Sequence, residues 1–242
     1  DGIVYLDIGD AYFRGDWNTA LNGLWPPLYS WILGLALFVL KPSPRWEFSV
    51  VRLVNFGIYL FALGCFHFFL LELIRYHRRR TAHLSGEGSV ALPEWAWLAL
   101  GYTLFIWSSL SLITIIEDSP DMLVAALVYL ASGLLLRIRM GFMSWRTFVL
   151  LGAVLGIGYL AKAFMFQLAF VVLGISLFSI GNFRKAIPRV LLALGIFLLL
   201  GAPFTVALSM AKGRLTLRDS GGLHYWFNVN GMPWVNWQGE PP

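Results

Sequence analysis

The chain has 242 residues, of which 58% are hydrophobic and only 13% charged, and its mean hydropathy is +0.71. A soluble domain would carry about twice that charged fraction, so the composition excludes an ordinary soluble protein. The net charge of +5 does not indicate a nucleic-acid partner, because the basic residues cluster at the ends of apolar runs. The single cysteine, Cys65, lies within such a run and excludes a disulfide framework. The sequence therefore predicts an all-α, multi-pass protein embedded in a lipid bilayer.

The opening segment, residues 1–48, is predicted to lie outside the membrane. Its first sixteen positions hold four of the thirteen acidic residues, namely Asp1, Asp7, Asp10 and Asp16. Residues 1–13 have the spacing of a short surface helix, with an aromatic face and an acidic face. The apolar run Pro27–Leu40 is too short to span and suits a re-entrant or interfacial helix. The acids are either solvated, with Asp1 as an N-cap, or they take protons, metals or cations.

Residues 49–211 are predicted to form a bundle of about six spans. A spanning helix needs roughly 20 apolar residues. Four apolar runs meet that length, at residues 49–74, 94–116, 121–138 and 187–208. Residues 147–180 are long enough for two short spans, with a break near residues 158–162. Residues 212–242 have a mixed composition and are predicted to begin an outer loop or domain.

The basic residues predict the sidedness of this bundle. Ten of the eighteen Lys and Arg residues fall in three connections: Arg75, Arg78, Arg79 and Arg80; Arg137, Arg139 and Arg146; Arg184, Lys185 and Arg189. Placing these three connections in the cytoplasm obeys the positive-inside rule. Residues 1–48 and 117–121, Lys162 and the tail from Lys212 then face outward. We expect a bacterial inner-membrane protein with a periplasmic or exterior site. We also expect an internal fragment of a longer protein, because no signal peptide or first span precedes Asp1.

Several motifs, in order along the chain, carry a family resemblance. The first loop contains Asp1-Gly-x-x-Tyr5-Leu, then Gly15-Asp16-Trp17, then Pro26-Pro27-Leu28-Tyr29. Further on come Asp118-Ser-Pro-Asp121, before an apolar helix, and Gly158-Tyr-Leu-Ala-Lys162. Together they resemble the GT-C glycosyltransferases, most closely the branch with the protein O-mannosyltransferases and the bacterial lipid A aminoarabinose transferases. The order and sidedness of the motifs match along nearly the whole chain.

This resemblance implies a GT-C bundle with juxtamembrane helices on its outer face. Such enzymes move a sugar from a polyprenyl-phosphate carrier to an acceptor, with inversion; the acceptor here is a protein, lipid or polysaccharide. A carboxylate at the position of Asp1 would act as general base. Asp7, Asp118 and Asp121 are possible acidic helpers. Cations would stabilise the phosphate of the leaving group. The outward-facing candidates for that role are Lys41, Arg45, Arg52 and Lys162.

The chain departs from the family motif at two places. Gly2 replaces an acidic residue that usually follows the catalytic aspartate. Trp25-Pro26 stands where the aminoarabinose transferases have Glu-Lys, residues tied there to metal and phosphate binding. These departures argue against aminoarabinose as the sugar. They leave a divalent metal as only a possible cofactor.

Other interpretations of the same residues stay open. Asp118 and Asp121 flank a proline at a helix start, where acids also serve as simple caps, and Lys162 could snorkel to the interface. Aromatic and polar side chains in the tail suit a sugar- or acceptor-binding loop or a self-packed lid: His224, Tyr225, Trp226 and Asn230. For the whole protein, the alternatives are a secondary transporter or channel with a non-catalytic acidic loop, and a membrane scaffold.

Overall fold

The computed structural model describes residues 2–82, 92–113 and 117–219, together with Gly222, Tyr225 and Val229. These residues are mostly helical and contain no strand, which confirms the predicted all-α class. The helices are α1 (Gly2–Arg14), α2 (Trp17–Ala20), α3 (Pro27–Leu40), α4 (Glu47–Ala82), α5 (Glu94–Ser111), α6 (Asp121–Arg139), α7 (Trp145–Ala161), α8 (Met165–Ser179) and α9 (Phe183–Lys212). A 3-10 turn, Pro44–Trp46, leads into α4.

Three helices in the described part of the chain are long and apolar enough to cross a membrane. They are α4 with its preceding turn (Pro44–Thr81), α6 and α9. Helices α3, α7 and α8 are apolar but shorter, with 14, 17 and 15 residues. Residues 162–164 separate α7 from α8, so the long run at 147–180 is interrupted where its sequence predicts a break. The fold is therefore that of a membrane helix bundle.

Contacts at one end of the bundle join the three basic connections. Arg79, near the end of α4, donates to the carbonyl of Met140, which follows α6, at 3.1 Å. Arg189 of α9 donates to the carbonyl of Met143, in the α6–α7 connection, at 3.0 Å. Glu72 of α4 binds Arg75 at 2.7 Å. We call this end, formed by the last turns of α4, the α6–α7 connection and the start of α9, the basic end.

The opposite end, the polar end, carries α1, α3, the start of α6, the α7–α8 connection and the last turns of α9. Helix α1 packs its buried face on α3, and the two backbones touch at two glycines. A Cβ atom on Gly9 would lie 2.6 Å from the carbonyl oxygen of Ser30, and one on Gly34 would lie 2.7 Å from the carbonyl oxygen of Gly9. Because no side chain fits at this crossing, α1 is held directly against α3.

Candidate functional site

Asp118 joins three elements at the polar end. The hydroxyl of Tyr29, on α3, donates to Oδ1 of Asn55, on α4, at 2.7 Å. Nδ2 of Asn55 then donates to Oδ1 of Asp118 at 3.2 Å. Tyr29 and Asn55 are both buried, so their hydrogen bonds have little competition from water. This chain of bonds fixes the Asp118 carboxylate at the start of the α6 region.

The first turn of α1 lies on Asp118. A Cβ atom added to Gly2 would lie 2.7 Å from the Cβ atom of Asp118. An acidic residue at position 2, as in the family motif, would therefore force α1 away from Asp118. This contact gives a physical reason for the glycine. Asp1, the predicted general base, lies outside the described residues, but its neighbour in the chain contacts one of the predicted acidic helpers.

Asp121 and Lys162 form an ion pair across α6 and α7. Asp121 is the first residue of α6, and Lys162 caps the C-terminal end of α7. Their side chains are 43% and 45% exposed, so the pair remains open to water or to a ligand. The hydroxyl of Ser119 donates to Oδ2 of Asp121 at 3.3 Å. The structure thus brings together three predicted site residues: Asp118, Asp121 and Lys162.

Arg218 is a second cation at this end, and sequence reasoning does not identify it. Its guanidinium carbon lies 5.1 Å from the ring centre of Tyr159 and 4.7 Å from that of Phe204. Its Nη2 atom donates to the carbonyl oxygen of Tyr159 at 3.2 Å. Nε and Nη1 are buried and bind no described residue, and no described carboxylate pairs with the guanidinium. Burial lowers the pKa of Arg218.

Tyr5 links Arg218 to the Asp121–Lys162 pair. Burial is the main cause that raises the pKa of Tyr5, and the Asp121 carboxylate raises it further, while Arg218 acts in the opposite direction. The phenol therefore lies within electrostatic reach of both charges. Its ring packs edge-on against Tyr29, with 5.1 Å between ring centres. We refer to Tyr5, Asp118, Asp121, Lys162 and Arg218 as the polar-end cluster.

The other three predicted phosphate-binding cations lie outside this cluster. Lys41 ends α3 in a left-handed conformation, with φ of 43°. It lines a cavity of about 340 Å³ together with Asp7 and Asp10. Arg45 and Arg52 are exposed, at the 3-10 turn and on α4. Among the described residues, none of the three cations makes a hydrogen bond or ion pair with the cluster.

The three other acids among residues 2–16 have local partners or no partner among the described residues. Asp10 pairs with Arg14 one turn later, at 2.8 Å. Asp16 caps α2, with its carboxylate accepting from the hydroxyl of Thr19 at 2.7 Å. Asp7 is exposed. These three acids therefore lie on the solvated side of the opening segment, apart from Asp118 and Asp121.

Part of the predicted site falls beyond what the structure describes. His224, Trp226 and Asn230 lie outside the described residues, and Tyr225 is described as 57% exposed. Within the described ranges, no group of three His, Cys, Asp or Glu side chains is arranged to hold a metal ion. The structure therefore assigns no ligands to the possible divalent metal.

Comparison with known proteins does not extend this description. The chain matches no family model, no curated protein and no solved structure. The resemblance to GT-C glycosyltransferases accordingly rests on the motifs of the sequence. What the fold adds is that residues 2, 118, 121 and 162, which belong to three separate motifs, meet at one end of the bundle.

Proposed function

We propose that this protein is a membrane glycosyltransferase that takes its sugar from a polyprenyl-phosphate donor. The observation that carries the proposal is the convergence of two carboxylates and two cations at one end of an apolar bundle. The cations are Lys162 and Arg218, and the carboxylates are Asp118 and Asp121. A lipid-linked donor keeps its prenyl chain in the bilayer and its sugar phosphate at the surface, and a charged cluster at one end of an apolar bundle suits such a donor.

In the proposed reaction, a carboxylate removes the proton of an acceptor hydroxyl as its oxygen attacks the anomeric carbon of the sugar. The bond between that carbon and the phosphate oxygen breaks, and its electron pair stays on the phosphate. Attack from the opposite face inverts the configuration. Asp1 is the proposed general base. Asp118 supports the start of α1 through Gly2, and Asp121 positions Lys162.

The departing polyprenyl phosphate gains negative charge in the transition state, so fixed cations lower the barrier. The Nε and Nη1 donors of Arg218 are buried and bind no described residue, so each remains available to an oxygen of an anionic ligand. The rings of Tyr159 and Phe204 and one carbonyl oxygen compensate the Arg218 charge only in part, because no described carboxylate pairs with it, and an anionic ligand would offset the remaining cost of burial. Lys162 is half-exposed and adds a second positive charge at the mouth of the cluster.

The proposed orientation puts the polar end in the periplasm and the basic end in the cytoplasm of a bacterial inner membrane. It is supported by the gathering of Arg79, Arg137 and Arg189 at one end, which suits the positive-inside rule. The acceptor is proposed only as a hydroxyl- or phosphate-bearing protein, lipid or polysaccharide.

The test is a turnover assay in membranes that contain the protein. Polyprenyl-phosphate hexoses and pentoses, labelled in the sugar, are supplied, and both acceptor labelling and release of polyprenyl phosphate are followed. We expect turnover of at least one donor and its loss in Asp1→Asn, with Asp10→Asn as the matched control that keeps turnover. Full activity of Asp1→Asn removes Asp1 as the base. No turnover of any donor by the wild-type protein overturns the proposal and favours a transporter or channel.

A further inference from the structure

A second cavity at the polar end lies near the cluster, since its lining includes Asp219, the residue after Arg218. It has a volume of about 230 Å³ and lies between α2 with its following loop and the end of α9. The backbone N–H of Asp219 donates to the carbonyl of Gly23 at 3.0 Å, which ties the two walls together. The side chain of Asp219 fills the place that a Cβ atom on Gly23 would need. The cavity is therefore a built feature of the fold.

The residues that line the cavity provide an exposed indole ring and side-chain amide N–H groups that have no hydrogen-bond partner among the described residues. Trp17 is 59% exposed and is held edge-on by Tyr12, with 6.1 Å between ring centres. The Oδ1 atom of Asn22 accepts from two backbone N–H groups, at 2.8 and 3.2 Å, while its Nδ2 atom binds no described residue. The side-chain amide of Asn18 likewise makes no hydrogen bond to a described residue. A ligand entering here meets an aromatic face and several free donors and acceptors.

The charge around the cavity is balanced. Lys212 and Arg214 both pair with the Asp219 carboxylate, and Asp16 lies at the start of α2. The charged residues that line the cavity itself are Lys212 and Asp219, and because they form an ion pair the lining carries no net charge. A neutral ligand rich in hydroxyl groups fits these features best. The polarised C–H bonds of a sugar face are attracted to the negative face of an indole ring, and its hydroxyls bond to amides.

The volume of the cavity and its position in the fold restrict the class of ligand further. The volume is below the roughly 300–1,000 Å³ of pockets for drug-sized ligands, and suits one sugar ring. The cavity adjoins the polar-end cluster in two ways. Tyr12, which contacts Trp17, also influences the pKa of Arg218, and Arg218 directly precedes the lining residue Asp219. A ring bound here lies next to the place proposed for the donor phosphate.

We infer that this cavity, with Trp17, Asn18 and Asn22, is the acceptor subsite and that it binds a neutral sugar ring. The acceptor is therefore a glycan, either a soluble oligosaccharide or the head group of a glycolipid. This inference rests on the proposed function for its catalytic meaning, but sugar binding itself is independent of turnover. An exposed tryptophan near a membrane surface can instead anchor in the headgroup region, and the experiment separates these two roles.

Binding is measured without any donor, on the protein in phospholipid nanodiscs, because a maltoside detergent would itself supply a glucose ring. Maltotetraose, cellotetraose and mannotetraose are titrated by calorimetry and by saturation-transfer NMR. A parallel arm incorporates glucosyl-diacylglycerol in the nanodisc. We expect at least one ligand to bind, and Trp17→Ala to weaken it about tenfold, or 1.4 kcal/mol. Trp17→Phe keeps the ring and most of the affinity, and Asn18→Ala weakens binding by a smaller factor.

Trp46→Ala is the matched control, because Trp46 is 61% exposed but lies at the 3-10 turn, away from the cavity. Binding that is absent for every oligosaccharide and the glycolipid overturns the inference, as does an equal loss in Trp17→Ala and Trp46→Ala. The second result would assign Trp17 to membrane anchoring. Sugar binding without turnover of any donor would overturn only the proposed transferase. Turnover onto a protein acceptor, with no sugar binding, would overturn only this subsite.

Discussion

The two ends of the bundle use positive charge in opposite ways. At the basic end, Arg79 and Arg189 bond to backbone carbonyls. Arg137 lies over two phenylalanine rings, and its buried Nε atom makes no hydrogen bond to a described residue but lies 3.7 Å from the Glu72 carboxylate. At the polar end, Arg218 retains two buried donors that no described residue satisfies. Lys162 has one carboxylate partner and is half-exposed. The buried donor of Arg137 thus faces a carboxylate of the protein, whereas the two buried donors of Arg218 have no described carboxylate beside them and keep bonding capacity for an anionic ligand.

The largest expected effect tests that difference directly. Arg218→Gln removes the buried guanidinium, and we expect sugar transfer to fall about 100-fold, the loss typical of removing one fixed donor to a developing negative charge. The rate is measured with labelled polyprenyl-phosphate sugar in proteoliposomes that hold equal amounts of folded protein. Arg79→Gln is the control at the basic end, and we expect it to stay within about twofold. Equal losses in both variants would abolish the distinction between the two ends.

The next prediction concerns the packing of α1 on α3 at the polar end. Gly9→Val puts a branched side chain where a Cβ atom already lies 2.6 Å from a backbone oxygen of α3. Overpacking of this kind costs about 1–3 kcal/mol, and α1 must also shift away from Asp118. We expect a lower thermal midpoint and reduced transfer together. Gly57→Ala, on α4, has no atom near its Cβ position and should leave both quantities unchanged. Unaltered transfer in Gly9→Val would show that α1 does not shape the cluster.

Much of the fold follows from the sequence, because membrane helices leave strong local signals. Long apolar runs predict α4, α6 and α9, and a fourteen-residue run predicts α3 with the bounds that the structure has. The break between α7 and α8 is predicted by the polar Lys162 within an apolar stretch. The basic connections predict which loops lie at the same end of the bundle. The positive-inside rule uses only the positions of Lys and Arg relative to the spans, so it requires no knowledge of tertiary contacts.

The site is predicted only in part, because it depends on how distant segments meet. Asp118, Asp121 and Lys162 stand in recognisable motifs and do converge. Lys41, Arg45 and Arg52 are predicted from sidedness alone, and sidedness does not distinguish an exposed cation from one in a cluster. Arg218 is missed for the converse reason. It follows Lys212 and Arg214 in a segment of mixed polarity, so its pattern predicts a solvated loop, and only packing against Tyr159 and Phe204 reveals its burial.

A smaller effect is expected from the buried acid of the basic end. Glu72 is 2% exposed and is bonded to Arg75, with Arg137 3.7 Å away. Glu72→Gln leaves a neutral amide among these cations, and we expect a loss of about 1–2 kcal/mol, since both arginines are partly solvated. Thermal unfolding in nanodiscs should show the loss, with transfer per folded molecule unchanged. If transfer fell without a fall in stability, the result would contradict this prediction and would indicate a catalytic role for Glu72 at the basic end.

The smallest effect is expected from Asp16, an acid of the opening segment that is not a member of the polar-end cluster. Hydrogen bonds from Thr19 hold the pKa of the exposed Asp16 carboxyl below its ordinary value of 3.8. The ionised carboxylate therefore stabilises the fold above pH 3.8, and this contribution is lost as the pH falls through the lowered pKa. Asp16→Ala should lower the thermal midpoint slightly at pH 7, and its difference from the wild-type protein should disappear below that range. Transfer should fall far less than in Arg218→Gln, because Asp16 contacts no member of the cluster among the described residues and acts only through the start of α2. A difference that persists in acid would mean that the stabilisation comes from packing of α2 and not from the charge of its cap.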